Sequence, residues 1–245
     1  MSLVSLSAFE PRAISTKVEI LEGAWPHRRI LNGVARILSC YHRVEFHGMS
    51  ALPRDRPLIF VAKHPRTWLY TETFLILARA CALKGLLPFR MMHRSEPGLK
   101  ESLASWLRVQ AGGIPAEQEA ALATLRRRES LLVFPGGRRE VGGPRDEIQW
   151  RGRRAYARLA ALTQTPVVPL VILGADWQHP FCLPLGDGRT LFLPPVPLPV
   201  KLVYHFGAAM EPPGSADASA VASFSEAVAH ATRKLLARSR GVRGR

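Results

Sequence analysis

The chain has 245 residues, 47% of them hydrophobic, which is enough for a sizeable core and near the upper end of a single α/β domain. Its 34 basic against 19 acidic side chains leave a formal charge of +15, which favours anionic partners (nucleic acid, anionic lipid or an acidic cofactor) without choosing among them. Cys40, Cys81 and Cys182 lie far apart, which argues against a disulfide framework or a Cys-based zinc site and makes a reducing, cytoplasmic setting the expectation.

Residues 1–27 mix short polar and apolar pieces and read as an arm. They lack the basic stretch and long apolar run of a signal peptide. The segment RRILNGVARILSCY then places Ile30, Val34, Ile37 and Leu38 on one helical face with Arg28, Arg29 and Arg36 around it, a pattern that suits a membrane-surface helix and a core-packed helix equally. HRVEFHG alternates as a half-buried strand does, and LIFVA, after a proline-rich turn, reads as a fully buried one. From Trp68 to Lys84 the chain is helical and apolar almost all round, stopping at Gly85 where a capping glycine belongs. Its most apolar window, Phe74 to Leu83, is interrupted by Arg79 and falls short of the about 20 residues a bilayer span needs. The expectation is a protein that lies on a membrane without crossing it.

A strand is expected in LPFRMM, helices in LKESLASWLRVQ and EQEAALATLRRRE, and a buried strand in SLLVF. WRGRRAYARLAALTQT reads as a helix, PVVPLVIL as a buried strand, and KLVYHFG as a strand with one face in solvent. Residues 184–199 read as a long surface loop or a hairpin, and the tail as a helix with Val221, Phe224, Val228 and Leu235 on a shared face. Strands alternating with helices predict a single α/β domain over 28–245, built on a mostly parallel sheet with helices on both faces.

Two strand ends carry residues suited to chemistry. KHPRT (63–67) sits at a strand-to-helix junction, where helix-start N–H groups favour anions and the helix dipole disfavours protonation of His64. Such a histidine can act as a base near neutral pH, although a lone histidine is more often structural. VFPGGRRE (133–140) again runs a strand into a turn: Gly136 and Gly137 permit close backbone approach, while Arg138 and Arg139 offer forked donors for phosphate or carboxylate. Taken alone, that pattern also describes an ordinary turn with solvated arginines.

In this order and spacing the two sites resemble the glycerolipid and lysophospholipid acyltransferases. YHRVEFHGMSALP, AGGIPAEQEAALATLRRRESLLVFPGG and TPVVPLVILGA extend the resemblance over roughly residues 38–175. Two positions depart from the commoner members: Leu69 stands where an aspartate usually follows the histidine, and Gly136 replaces the glutamate of a Phe-Pro-Glu-Gly-Thr-Arg motif. HPRT and PGGRRE are closer to the branch of type-2 diacylglycerol acyltransferases and phytyl-ester-synthase-like proteins. The resemblance implies lipid metabolism, with transfer of a fatty acyl group from acyl-CoA or acyl-carrier protein to the hydroxyl of a lysophospholipid, diacylglycerol or other lipid alcohol. The acyl thioester is then a co-substrate and no bound cofactor is implied.

By the same resemblance His64 is the general base. With Leu69 lacking a carboxylate, Glu140 is the first candidate to hold the imidazole, Glu72 the second, and a backbone carbonyl the third. Gly136, Gly137, Arg138, Arg139, Arg66 and Arg90 are the substrate-binding candidates, though Arg90 and His93 fit a basic solvent-facing loop as well. No zinc-binding HExxH helix, nucleophile elbow, phosphate loop or dinucleotide fingerprint occurs in the sequence, and no metal is expected. The runs RRR (126–128) and RGRR (151–154) read as one-sided helix charges fit for anionic headgroups, which places the protein peripherally at the inner face of a membrane. A lipid-binding protein of the same fold without turnover is the alternative. A nucleic-acid-binding protein is the weaker one, since no binding motif accompanies the charge.

Overall fold

The apolar run beginning at Leu58 forms β2 (Ile59–Ala62), whose four residues are all buried. Phe60 and Ala62 enter one core cluster while Ile59 and Val61 enter another, as the period-two geometry of a strand covered on both faces requires. The computed structural model describes residues 28–65, 70–93, 111–141, 147–184 and 190–241, with residues 109 and 144. The arm over 1–27, the helix expected in 99–110 apart from residue 109, and Arg66 and Leu69 lie outside the described residues.

The other strands of the main sheet are β1 (Glu45–His47), β3 (Phe89–His93), β4 (Gly113–Pro115), β5 (Ser130–Val133), β6 (Val167–Leu173) and β9 (Val203–Phe206). Their order is β1-β9-β6-β2-β5-β3-β4. All neighbours run parallel except β6 and β9. That one reversal follows the two-stranded hairpin β7 (Phe181–Pro184) and β8 (Thr190–Leu193), through which the chain leaves β6 and returns to the sheet.

Helices α1 (Arg28–Tyr41) and α2 (Tyr70–Leu83) cover one face, where Phe74, Ile76, Leu77 and Ala80 of α2 pack on Phe60 and Leu132. On the other face lie α3 (Gln118–Arg126), α5 (Ala155–Thr163) and α6 (Ala218–Gly241), contributing Leu125, Tyr156, Leu159 and Val228 to the second cluster. The short α4 (Arg138–Val141) follows β5. The fold is therefore α/β, with a mostly parallel sheet between two helical layers. Gly85 ends α2 with a left-handed φ of 70°, the conformation that only glycine adopts at little cost.

Several elements differ from their sequence patterns. Ala35 is the buried residue of α1 and Leu38 is partly buried, whereas Ile30, Val34 and Ile37 face outward. α5 begins only at Ala155, because Arg151 and Gly152 take positive φ values and form a turn, so RGRR is not a helix face. Similarly, Arg126 ends α3, Arg127 caps it and Arg128 turns with φ 61°. β9 is covered on both faces: Val203 packs against Leu236 of α6 and Tyr204 enters the cluster below α2. β4, only Gly-Ile-Pro, is too short to carry a period. Among the described residues no helix is long and apolar enough to cross a membrane.

Gly174 closes β6 at φ 93°, and a Cβ there would sit 2.1 Å from the Lys201 carbonyl oxygen. Gly33, inside α1, faces open space: a Cβ there would meet nothing within 4 Å. Gly174→Ala should therefore lower stability by more than about 2 kcal/mol, while Gly33→Ala should raise it by about 1 kcal/mol. Chemical denaturation of the two variants checks the opposite signs.

Candidate active site

β2 and β5 are parallel neighbours with Val61 paired to Val133, so the chain leaves both strands on the same edge of the sheet. Lys63 and His64 follow one, and Phe134, Pro135, Gly136 and Gly137 follow the other. In open α/β sheets the carboxyl ends of the strands are where ligand crevices form. The register brings the two sequence motifs together there, with the His64 and Phe134 rings 5.0 Å apart.

The connection between them is the Glu140 carboxylate, whose residue is fully buried. Its Oε2 accepts the backbone N–H of His64 at 2.8 Å, and its Oε1 accepts the backbone N–H of Gln149 at 2.8 Å. Burial pushes the Glu140 pKa up, while the two amide hydrogen bonds and Lys63 pull against that rise. Room for the carboxylate exists because residue 136 is glycine: a Cβ there would lie 2.1 Å from Glu140 Cδ and 2.3 Å from Oε2. Gly137 turns with φ 54° and donates its N–H to Phe134 O.

The imidazole is oriented differently from the leading expectation. His64 Nδ1 lies 2.8 Å from the Pro65 carbonyl, so a backbone oxygen meets the ring while Glu140 holds the backbone of the same residue. An Nδ1–H donated to Pro65 puts the basic lone pair on Nε2. Loss of water around the ring pushes the His64 pKa down to about 4, with the Pro65 bond and Asp176 acting upward and Lys63 downward. Desolvation is the largest of these influences and favours the neutral ring. Lys63 is itself paired with Asp176 at 2.9 Å, both side chains being largely buried.

Glu72 belongs to a different cluster. Buried in the first turn of α2, it contacts His42 Nε2 and accepts from Gln178 Nε2 at 3.3 Å. His42 Nδ1 is 3.0 Å from the Val200 carbonyl, and its Nε2 also lies 3.3 Å from Gln178 Nε2. This cluster ties the end of α1 to α2 and to the segment after β6. Arg90 is not on a solvent-facing loop: it is buried in β3 and doubly bonded to Glu129 at 2.9 and 3.0 Å. It sits level with Leu131 and Ile59, five residues before His64, roughly 15 Å down the strands. Among the remaining candidates Arg139 is exposed in α4, and the Arg138 side chain lies outside the described residues. His93 is buried at the end of β3.

Sequence reading missed Asp176 and Arg153. Arg153 Nη1 donates to Pro135 O at 3.0 Å and to Gly136 O at 3.2 Å, bracing the turn after β5. Asp176 follows β6, whose carboxyl end adjoins that of β2. That strand-end rule was the available signal for it, whereas Arg153 was hidden inside a run of charges.

Gly136→Ala should behave as Glu140→Ala does, since each removes the carboxylate bridge. Both should lose at least about 2 kcal/mol, the scale of stranding buried hydrogen-bonding groups, measurable as a common fall in urea midpoint. Arg153→Ala should leave stability within about 1 kcal/mol of the parent, as expected for an exposed side chain, yet cut turnover by loosening the turn. Arg153→Lys should recover part of it, because one nitrogen, Nη1, meets both carbonyls and an ammonium also carries several N–H donors.

A family model described as Acyltransferase matches residues 43–173, more than half of the chain. The curated protein phytyl ester synthase 2, chloroplastic, of Arabidopsis thaliana is 21% identical over 184 residues, covering 72% of this chain. The chain spans about a quarter of the length of that relative, 26%. Among solved structures, the 1-acyl-sn-glycerophosphate acyltransferase of Thermotoga maritima matches with a TM-score of 0.55 at 16% identity, over 90% of this chain and 88% of the other. That likeness is one of fold, with the same mostly parallel sheet between helices. Since the family match spans the histidine turn, the PGG turn and the strand after them, the chain belongs to the Acyltransferase family.

Proposed function

We propose that this acyltransferase moves a fatty acyl group from a thioester, acyl-CoA or acyl-carrier protein, to the hydroxyl of a lipid at a membrane surface, with His64 as general base. The observation that carries the reading is His64 with its Nδ1 on a backbone carbonyl, beside a glycine turn at the carboxyl edge of the sheet, in surroundings that push its pKa down. Nε2 takes the proton from the acceptor hydroxyl as that oxygen bonds to the thioester carbonyl carbon. The tetrahedral oxyanion then collapses, the carbon–sulfur bond breaks, and the leaving thiolate takes the proton from the imidazolium.

Arg153 and Arg139, with Arg138 and Arg66, supply positive charge for the oxyanion or for phosphates of the donor. PGGRRE in place of the commoner motif, and similarity to a protein named for phytyl esters, favour a neutral lipid alcohol as acceptor. The outward Ile30, Val34 and Ile37 of α1 beside exposed Arg36 suit peripheral contact with an anionic membrane. An inner-face location follows from that reading.

Thioester consumption across lysophospholipids, diacylglycerol and long-chain alcohols tests the reaction directly. His64→Ala should cut the rate by about 10² to 10⁴-fold, the typical contribution of a positioned base, with unfolding unchanged. Wild-type-like transfer in that variant would remove the base assignment. The pH profile is a second check: kcat/KM should stay level through pH 6.5 and fall only as pH drops through about 4. Because the folded state resists protonation of His64, its contribution to stability is present above pH 6.5 and lost as pH falls toward 4.

A further inference from the structure

The hairpin that follows β6 is apolar on both faces. Its register pairs Phe181 with Leu193 and Leu183 with Leu191, and cross-strand partners share a face. That face looks outward: Phe181 is 68% exposed, and Leu183 and Leu191 are also exposed. The inner face holds Cys182 and the buried Phe192, whose ring lies 5.6 Å from that of His179. A water-facing hairpin ordinarily alternates apolar inside with polar outside, so the apolar outer side here requires a partner.

The apolar surface continues beyond the hairpin. Val196, 68% exposed, and Leu198 follow β8, and Tyr41 Oη donates to Pro197 O at 2.8 Å, joining this segment to the outward apolar face of α1. Trp177, half-exposed, directly follows Asp176, the partner of Lys63 beside His64. The surface therefore borders the candidate active site. Its charge points to one kind of occupant. Arg36 is exposed on α1, Arg43 is exposed and donates to Pro199 O at 2.7 Å, and the sequence from Trp177 to Val200 holds one acid, Asp187, balanced by Arg189. Contiguous apolar groups rimmed by arginines match the interface of an anionic bilayer better than a protein surface.

We infer that the outer face of the β7–β8 hairpin, with Val196, Leu198 and Tyr41, inserts into an anionic lipid bilayer and sets the mouth of the His64 site against it. The inference rests on the acyltransferase reading for its purpose, while bilayer binding itself needs no turnover. Full-length protein is floated with vesicles of phosphatidylcholine and phosphatidylglycerol, beside a Phe181→Ser/Leu191→Ser variant. The variant should bind at least about tenfold more weakly, the loss expected from two large apolar groups, with an unchanged melting temperature because both residues are already in solvent. Lipids brominated in the acyl chains should quench a fluorescence component that Trp177→Phe removes.

Equal flotation of variant and parent overturns the inference, as does quenching that is the same in Trp177→Phe. Sedimentation decides between a bilayer and a second copy: a dimer that the double substitution dissociates, with vesicle binding unchanged, also overturns it. His64→Ala should float normally. If no acceptor is acylated but flotation depends on the hairpin, the reaction proposal fails and this one stands.

Discussion

One carboxylate spans the gap between the two loops that define the site. Glu140 reaches from α4 to the amide of His64 and to the amide of Gln149, and because it is buried its hydrogen bonds are not exchangeable for water without cost. The position of His64 is thus set through its backbone, and the loop returning toward α5 is set by the same group. Gly136 and Glu140 are coupled by volume. A side chain at 136 would begin where the carboxylate already lies, so the glutamate of the commoner motif and Glu140 compete for one place. The departure from that motif is consistent with a carboxylate delivered from α4 instead of from the turn.

The electrostatics of the edge follow from burial. A partly desolvated histidine prefers to be neutral, and the nearby Lys63 strengthens that preference while Asp176 opposes it. Since Lys63 and Asp176 are paired, their influences on the ring are opposed and desolvation dominates. The Glu72–His42–Gln178 cluster stands apart from this chemistry but fixes α1 and the start of α2 against the segment carrying Asp176. Buried polar groups of this kind specify one packing arrangement through paired donors and acceptors.

The basic excess is unevenly used. Arg90 is neutralised by Glu129, Arg128 and Arg43 donate to backbone carbonyls of Asp55 and Pro199, and Arg153 braces the turn after β5. An arginine can cap carbonyls that glycine and proline turns leave without backbone donors, because its fork offers several N–H groups at once. Net charge is therefore a poor map of the anion-binding surface. The positions of the turns decide which guanidinium groups are left to face a ligand.

The parallel α/β architecture was legible from local patterns: LIFVA, SLLVF and PVVPLVIL are buried runs, helices lie between them, and Gly85 stops α2 where a positive φ is needed. His64 and Gly136–Gly137 were likewise readable as strand-end residues, since strand termination is encoded by adjacent residues. A backbone carbonyl was among the candidates for the imidazole, but that Glu140 holds the amide and not the ring was not readable, because the register of β2 against β5 decides that geometry. The same holds for Arg153, Asp176 and the outward hairpin face. Each depends on which segments distant in sequence meet at one edge of the sheet, and a period of two or 3.6 residues states which side chains share a face without stating what that face meets.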